Sequence, residues 1–384
     1  MYGAYNLSSP SPRYLIAVCG DWGVAPWSKA LCSSGADVHV LSNIRPHRFR
    51  QRFPWVKQSY WCVECYILGY LLAKVLPRKH WYFREKLIYK VFARQLTQFA
   101  RRDTIVLTNV GMGGGNGVLG RFQNSLVHCG NSGPGTFAAQ MTAAGQGRMA
   151  ANLLADKGWL RMWESDVRAA SIISAESSFV VKSIEASIPN KRYFVSPLPV
   201  AAMPSRLTSP RRTRFVSTAT TVRKGSLVAI DAWRIAKENG WLGTEAVLEI
   251  FGSCDRPTQS KLDREGEKSG VISRGYTREI GEVFQSARYF LLPTFEDGGP
   301  RALGEAISAG CIPIVSEFCM APDILPQALI AAPLTAASIA ETIRNVLSID
   351  LVCGRWHDEL RPAREQLMEE HFKEELLRML DGLK

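Results

Sequence analysis

The chain lacks the features that would place it outside the cell or across a membrane. Its nine cysteines are odd in number, and only Cys62 and Cys65 stand close together, so a secreted disulfide framework is not indicated and a reducing cytoplasm is the expected home. The "CVEC" pair has no second pair or His-rich partner to complete a zinc site, and two cysteines on one helical stretch is the simpler reading. The amino terminus has no basic start, apolar core and small-residue cleavage site, so no secretory signal is expected. Long hydrophobic runs are equally scarce. The nearest, Ser59 to Leu76, carries Glu64 and Lys74, each costing about 2.5–3.5 kcal/mol near the centre of a membrane-spanning helix.

Acidic residues are missing from one region. Between Arg45 and Arg102 there are 14 Lys and Arg but only Glu64 and Glu85, and this segment accounts for the chain's net charge of +12. Such a surplus predicts an anionic partner: a phospholipid surface, a phosphorylated molecule or nucleic acid. From Trp81 to Ala100, apolar Leu87, Ile88, Val91, Phe92 and Phe99 recur at helical spacing, with Lys86, Lys90 and Arg94 on another face. That helix, with Arg45 to Arg52 and Arg78, is the candidate lipid-docking face; a core-packed domain helix is the plainer alternative.

What is present is a repeated strand and helix alternation over 384 residues, 46% of them hydrophobic. "RYLIAVCG", "ADVHVLS", "DTIVLTNVG", "NSLVHCG", "AASIISAES" and "RYFVSPLPV" read as buried parallel strands of one doubly wound domain. A Pro-, Ser- and Arg-rich stretch near residue 204 reads as a linker. The pattern then restarts with "RFVSTA", "AVLEIFG", "GVISRGY", "RYFLLPT" and "CIPIVS". The expected organisation is a first domain over 1–203, a second over 204–355 and terminal helices over 356–384 that pack back on the first domain. Ligands of such sheets bind beyond the carboxyl ends of the strands, so two facing sheets imply a cleft.

The most informative stretch is "RYFLLPTFEDGGPRALGEAISAG". A strand ends at Leu292, Gly298 and Gly299 permit close backbone approach to a ligand, and Pro300 opens a helix whose free NH groups favour phosphate. Glu305, in the second helical turn, can accept paired hydrogen bonds from vicinal hydroxyls. A surface loop with a capping acid is the alternative.

This stretch resembles the family-four glycosyltransferases, group 1 type, retaining enzymes of the GT-B fold marked by two acids with seven residues between them ahead of a helix. Asp297 and Glu305 have that spacing; Glu296 is one residue too distant. The resemblance covers roughly residues 150 to 345, and the first 130 in outline. It implies an α/β chain of two facing Rossmann-like domains that moves a sugar from a nucleotide-sugar to a glycan or lipid-linked acceptor. Polysaccharide or glycolipid synthesis, in the cytoplasm or peripherally on the inner membrane face, is the implied setting.

By the same resemblance Lys224, followed by Gly225, neutralises the donor diphosphate, and His128 contacts the transferred sugar. Gly20 and Gly23 line the cleft, with Asp21 against an acceptor hydroxyl. The arginine expected six residues before Lys224 is replaced by Thr218, leaving Arg223 and Arg301 as candidate second cations. Asp297 is one methylene shorter than the family's glutamate. No Asp-x-Asp pair is present, so neither a metal nor a cofactor is expected. No nucleophilic carboxylate stands out in the first domain's loops, which favours same-face attack assisted by the leaving phosphate over a covalent intermediate. The alternative from another class is a GT-B-like scaffold with weakened catalysis that binds nucleic acid or membrane, although the basic stretch carries no known nucleic-acid motif.

Overall fold

The computed structural model describes residues 14–20, 23–76, 81–101, 103–115, 117–203, 214–353 and 356–383. Asp21, Arg78 and most of the linker lie outside them.

Two parallel sheets follow from the two sets of apolar runs. The first contains β1 (Tyr14–Val18), β2 (Val38–Ser42), β3 (Gln58–Trp61), β4 (Ile105–Asn109), β5 (Asn124–Cys129), β6 (Ile172–Ala175) and β7 (Tyr193–Val195), in the order β3-β2-β1-β4-β5-β6-β7. The second contains β8 (Phe215–Ser217), β9 (Leu248–Phe251), β10 (Val271–Gly275), β11 (Tyr289–Leu292), β12 (Ile312–Ser316) and β13 (Ile330–Ala331), in the order β10-β9-β8-β11-β12-β13. Their central strands are buried along their length, save for Asn109 at the end of β4, as sheets covered by helices on both faces require.

Two strands were not anticipated. β3 is polar, half-exposed and at an edge, inside the stretch read as a near-span; β13 is only two residues long. Neither carries an apolar run from which periodicity could be read.

The strand order reverses between β1 and β4 in one sheet and between β8 and β11 in the other. At such a switch point the loops leaving neighbouring strands part to opposite faces and leave a crevice. Both crevices matter below. The last helix, Glu369–Asp381, packs Phe372, Leu376, Met379 and Leu380 among Tyr14, Trp27 and Leu31 of the first domain. It is tied there by Arg192 and Asn124, which donate to the carbonyls of Gly382 and Leu383, each at 2.7 Å.

Among the described residues no helix is long and apolar enough to cross a membrane. The basic helix spans Trp81–Thr97 and buries Phe92. Lys86 does not stay free on its outer face: it turns to Asp156, donating to the two carboxylate oxygens at 2.9 and 2.7 Å.

Candidate active site

The second sheet's crevice is built from the loops after β8 and β11. Phe295 NH donates to the Arg223 carbonyl at 2.9 Å and Thr294 Oγ1 to the same oxygen at 3.2 Å, drawing the loops together. Gly225 completes the junction. Its φ is +75°, and a Cβ there would lie 1.7 Å from the Pro293 carbonyl oxygen, so the contact demands glycine. Lys224 is thereby held beside Asp297, and the two side chains form an ion pair. Burial is the main reason the Lys224 ammonium falls to about 8, aided by Arg223 and opposed by Glu296 and Glu176.

The neighbouring acid does something different. Glu296 is fully buried and reaches across to the first domain, where its Oε1 accepts from Ser132 NH at 2.9 Å and Ser132 Oγ at 3.1 Å. Arg223 donates to its main-chain carbonyl at 2.6 Å and to Oε2 at 3.1 Å. Glu296 is therefore an interdomain tie, and Arg223 is engaged in holding it. Of the two candidate replacements for the missing arginine, Arg301 is the exposed one, at 64% of its side chain.

Gly298 and Gly299 meet the first domain rather than open space. A Cβ on Gly298 would fall 2.2 Å from the Gly130 carbonyl oxygen, and one on Gly299 1.7 Å from Glu176 Oε2. The close approach that these glycines permit is, in this structure, domain against domain. Pro300 stands one position outside the helix Arg301–Ser308 as its cap rather than in its first turn. Glu305 lies 3.7 Å from Arg301, its carboxyl raised by burial with Arg301 opposing.

The first domain contributes the ends of β5 and β6. His128 Nδ1 is 3.2 Å from Ser174 Oγ and Nε2 is 3.5 Å from Glu176 Oε1. Complete burial lowers the imidazole to about 3, so the ring is neutral at physiological pH. Glu176 was missed by the sequence reading, which found no carboxylate of this kind in the first domain. It is buried directly after β6, and desolvation raises it to about 8 against the pull of Lys224 and Arg301. An acid straight after a buried apolar strand, at the sheet's carboxyl end, was the available signal.

Between the domains lies a cavity of about 380 Å³ that brings together His128, Glu176, Asp297 and Gly299. Gly20 and Gly23 are not among its lining residues; they shape the adjacent turn, where Gly20 NH donates to Asn43 Oδ1 at 2.7 Å and Gly23 caps the following helix with φ +79°. Cys19 lines the cavity instead. The glycine run after β4 wraps around a buried acid: Gly113 NH donates to Asp166 Oδ2 at 2.8 Å, and a Cβ on Gly113 would lie 2.2 Å from Asp166 Oδ1. Among the described residues no cluster of three or more His, Cys, Asp or Glu has the arrangement of a metal site.

Comparison with known proteins bears on this geometry at two levels. A family model described as "Glycosyl transferases group 1" matches residues 210–348, the stretch that holds Lys224, Asp297 and Glu305. No curated protein sequence matches. The fold is similar to solved structures over nearly their whole length. A UDP-forming α,α-trehalose-phosphate synthase from Burkholderia xenovorans in complex with glucose-6-phosphate has a TM-score of 0.62 at 12% identity, covering 96% of this chain and 100% of that one. Sucrose-phosphate synthase from Thermosynechococcus elongatus has 0.64 at 15%, covering 97% and 99%. Anabaena HepE in complex with UDP has 0.62 at 12%, covering 96% and 99%. The second domain is thus a group 1 glycosyltransferase domain, set within a two-domain GT-B fold.

Proposed function

We propose that the chain transfers a sugar from a nucleotide-sugar to an acceptor hydroxyl, with retention of configuration and without a metal. The observation that carries this reading is the Lys224–Asp297 pair at the second sheet's switch point, facing His128 and Glu176 across a closed cleft. Lys224 and the start of the helix Arg301–Ser308 neutralise the departing diphosphate, where negative charge grows in the transition state. Glu305 accepts the ribose hydroxyls, Asp297 accepts hydroxyls of the transferred sugar, and neutral His128 offers that sugar a hydrogen bond. The bond from the anomeric carbon to phosphate breaks while the bond to the acceptor oxygen forms on the same face, and the acceptor's proton passes to the leaving phosphate oxygen. Glu176 does not attack: with its carboxyl at about 8 it is protonated at neutral pH and acts as a hydrogen-bond donor.

Thermal shift with UDP, GDP and ADP, run from pH 6 to 10, tests the donor site. One nucleotide should raise Tm at neutral pH, and its affinity should fall as pH climbs past about 8, because free Lys224 then loses the proton that a bound diphosphate needs. The decline should approach tenfold per pH unit. A flat profile removes Lys224 from the diphosphate, and no stabilisation by any nucleotide rejects the function.

We place the reaction at an anionic membrane surface. The helix Val63–Val75 buries only Cys65, while Ile67, Tyr70, Leu71 and Val75 are each at least half exposed and share one face by their spacing. Lys74 lies on that face, over the Tyr70 ring at 4.4 Å, and Arg45 reaches Tyr66 of the same helix. Arg48, Arg50 and Arg52 are exposed nearby in sequence. A half-exposed apolar stripe beside bases suits in-plane insertion, with each base contributing about 1 kcal/mol near anionic lipid. The sequence points to the following helix, Trp81–Thr97; the uncovered apolar stripe is what supports the role for this one. The chain should co-sediment with phosphatidylglycerol vesicles at low salt, and Ile67→Glu with Leu71→Glu should release it; a wild-type chain left in the supernatant refutes the surface.

A further inference from the structure

The cavity between the domains has the wrong charge for this protein. Although the chain carries a net +12, no Lys or Arg is among the described residues that line the cavity, whereas Glu85, Glu176 and Asp297 all do. Lys224 and Arg301, whose charges reach Glu176, belong to the second domain's donor end. The half of the cavity that lies in the first domain is aromatic and amide-lined. Tyr89, Trp159 and Trp163 line it together with Asn109 and Asn131. Asn109 Oδ1 is buried and has no hydrogen-bond partner among the described residues.

From this lining we infer that the acceptor is an uncharged, polyhydroxylated sugar and that the site discriminates against sugar phosphates. Aromatic faces pack against the CH surface of a pyranose ring, while carboxyl and amide oxygens accept from its hydroxyls. A phosphate dianion in the same space would be stripped of water with no Lys or Arg among the described lining residues to pair with it, and an unpaired buried charge of that kind opposes binding strongly. Burial raises Glu85 to about 7, against Tyr89 and Arg84, and it raises Glu176 to about 8. Glu85 and Tyr89 come from the helix that packs directly on the exposed apolar helix Val63–Val75, where Gly69 meets Ile88.

The inference rests on the proposed function only in calling this ligand the acceptor, and its test is separate from the donor. Saturation-transfer NMR on the full chain, with and without UDP, would compare methyl α-glucoside, methyl α-mannoside, methyl α-galactoside and maltose with glucose-6-phosphate, mannose-6-phosphate and glucuronate. At least one neutral sugar should bind at least tenfold more tightly than every anionic one. Trp159→Ala should weaken the neutral ligand about tenfold, and Glu85→Gln, folded by circular dichroism, should narrow the gap to the phosphates. A sugar phosphate that binds better than its unesterified parent overturns the inference, as does silence from every neutral sugar. Neutral-sugar binding without any nucleotide binding would leave this site standing and reject the donor assignment.

Discussion

Lys224→Ala should lower kcat/KM for transfer by at least two orders of magnitude while leaving the chain folded. A preorganised cation aimed at developing phosphate charge is worth about 10²–10³ in rate, and no other side chain in this loop can replace it. Arg223 is bound to Glu296, and Arg301 leans towards Glu305 from the exposed side of its helix. The cost to stability should be small. Lys224 already sits where burial disfavours its charge, and Asp297 keeps some contact with solvent. Steady-state kinetics with circular dichroism checks both halves, and activity within threefold of wild type would mean that the diphosphate is held elsewhere.

Asp297→Asn and Glu296→Ala should fail in opposite ways. Asp297 pairs with Lys224 and faces the cavity, so its amide variant should lose transfer about a hundredfold or more with little change in Tm. Glu296→Ala leaves Ser132 NH and Oγ without their buried acceptor and strips Arg223 of its carboxylate partner, leaving it only the main-chain carbonyl. Breaking such a pair costs about 3–5 kcal/mol when fully buried, and the one-third exposure of the Arg223 side chain reduces this to about 2–3 kcal/mol. Its signature should be a fall in Tm and, by small-angle scattering, a wider cleft. Unfolding and kinetic measurements on both variants decide the matter. Equal loss of turnover at unchanged stability in Glu296→Ala would make that residue a second catalytic acid.

Much of this was legible in the residues. Eleven of the thirteen strands announced themselves as apolar runs, because a parallel strand buried on both faces must be apolar throughout. Spacing alone picked Asp297 over Glu296, and the structure explains why the two differ: only Asp297 faces the cavity, while Glu296 turns to the other domain. Ser132 was opaque because its partner Glu296 lies 164 residues away, and no local pattern encodes a contact across a cleft; Glu176 was legible only from its place directly after a buried strand. The glycine run was visible, but its reason was not, since the Asp166 carboxyl that fills it arrives from a distant helix. The exposed apolar stripe on the helix Val63–Val75 was hidden for a related cause: sequence shows which residues are apolar, and only packing shows which of them are left uncovered.

The Glu296 tie also governs access. Ser132 gives both its NH and its hydroxyl to that single carboxylate oxygen, and the glycines beside it fit against the first domain without room for a methyl group. Any parting of the domains would unmake both bonds at once, each worth about 1.5–3 kcal/mol to a charged acceptor. The loop that would grip the donor is thus also the latch on the door, and its strength sets how often the molecule stands open.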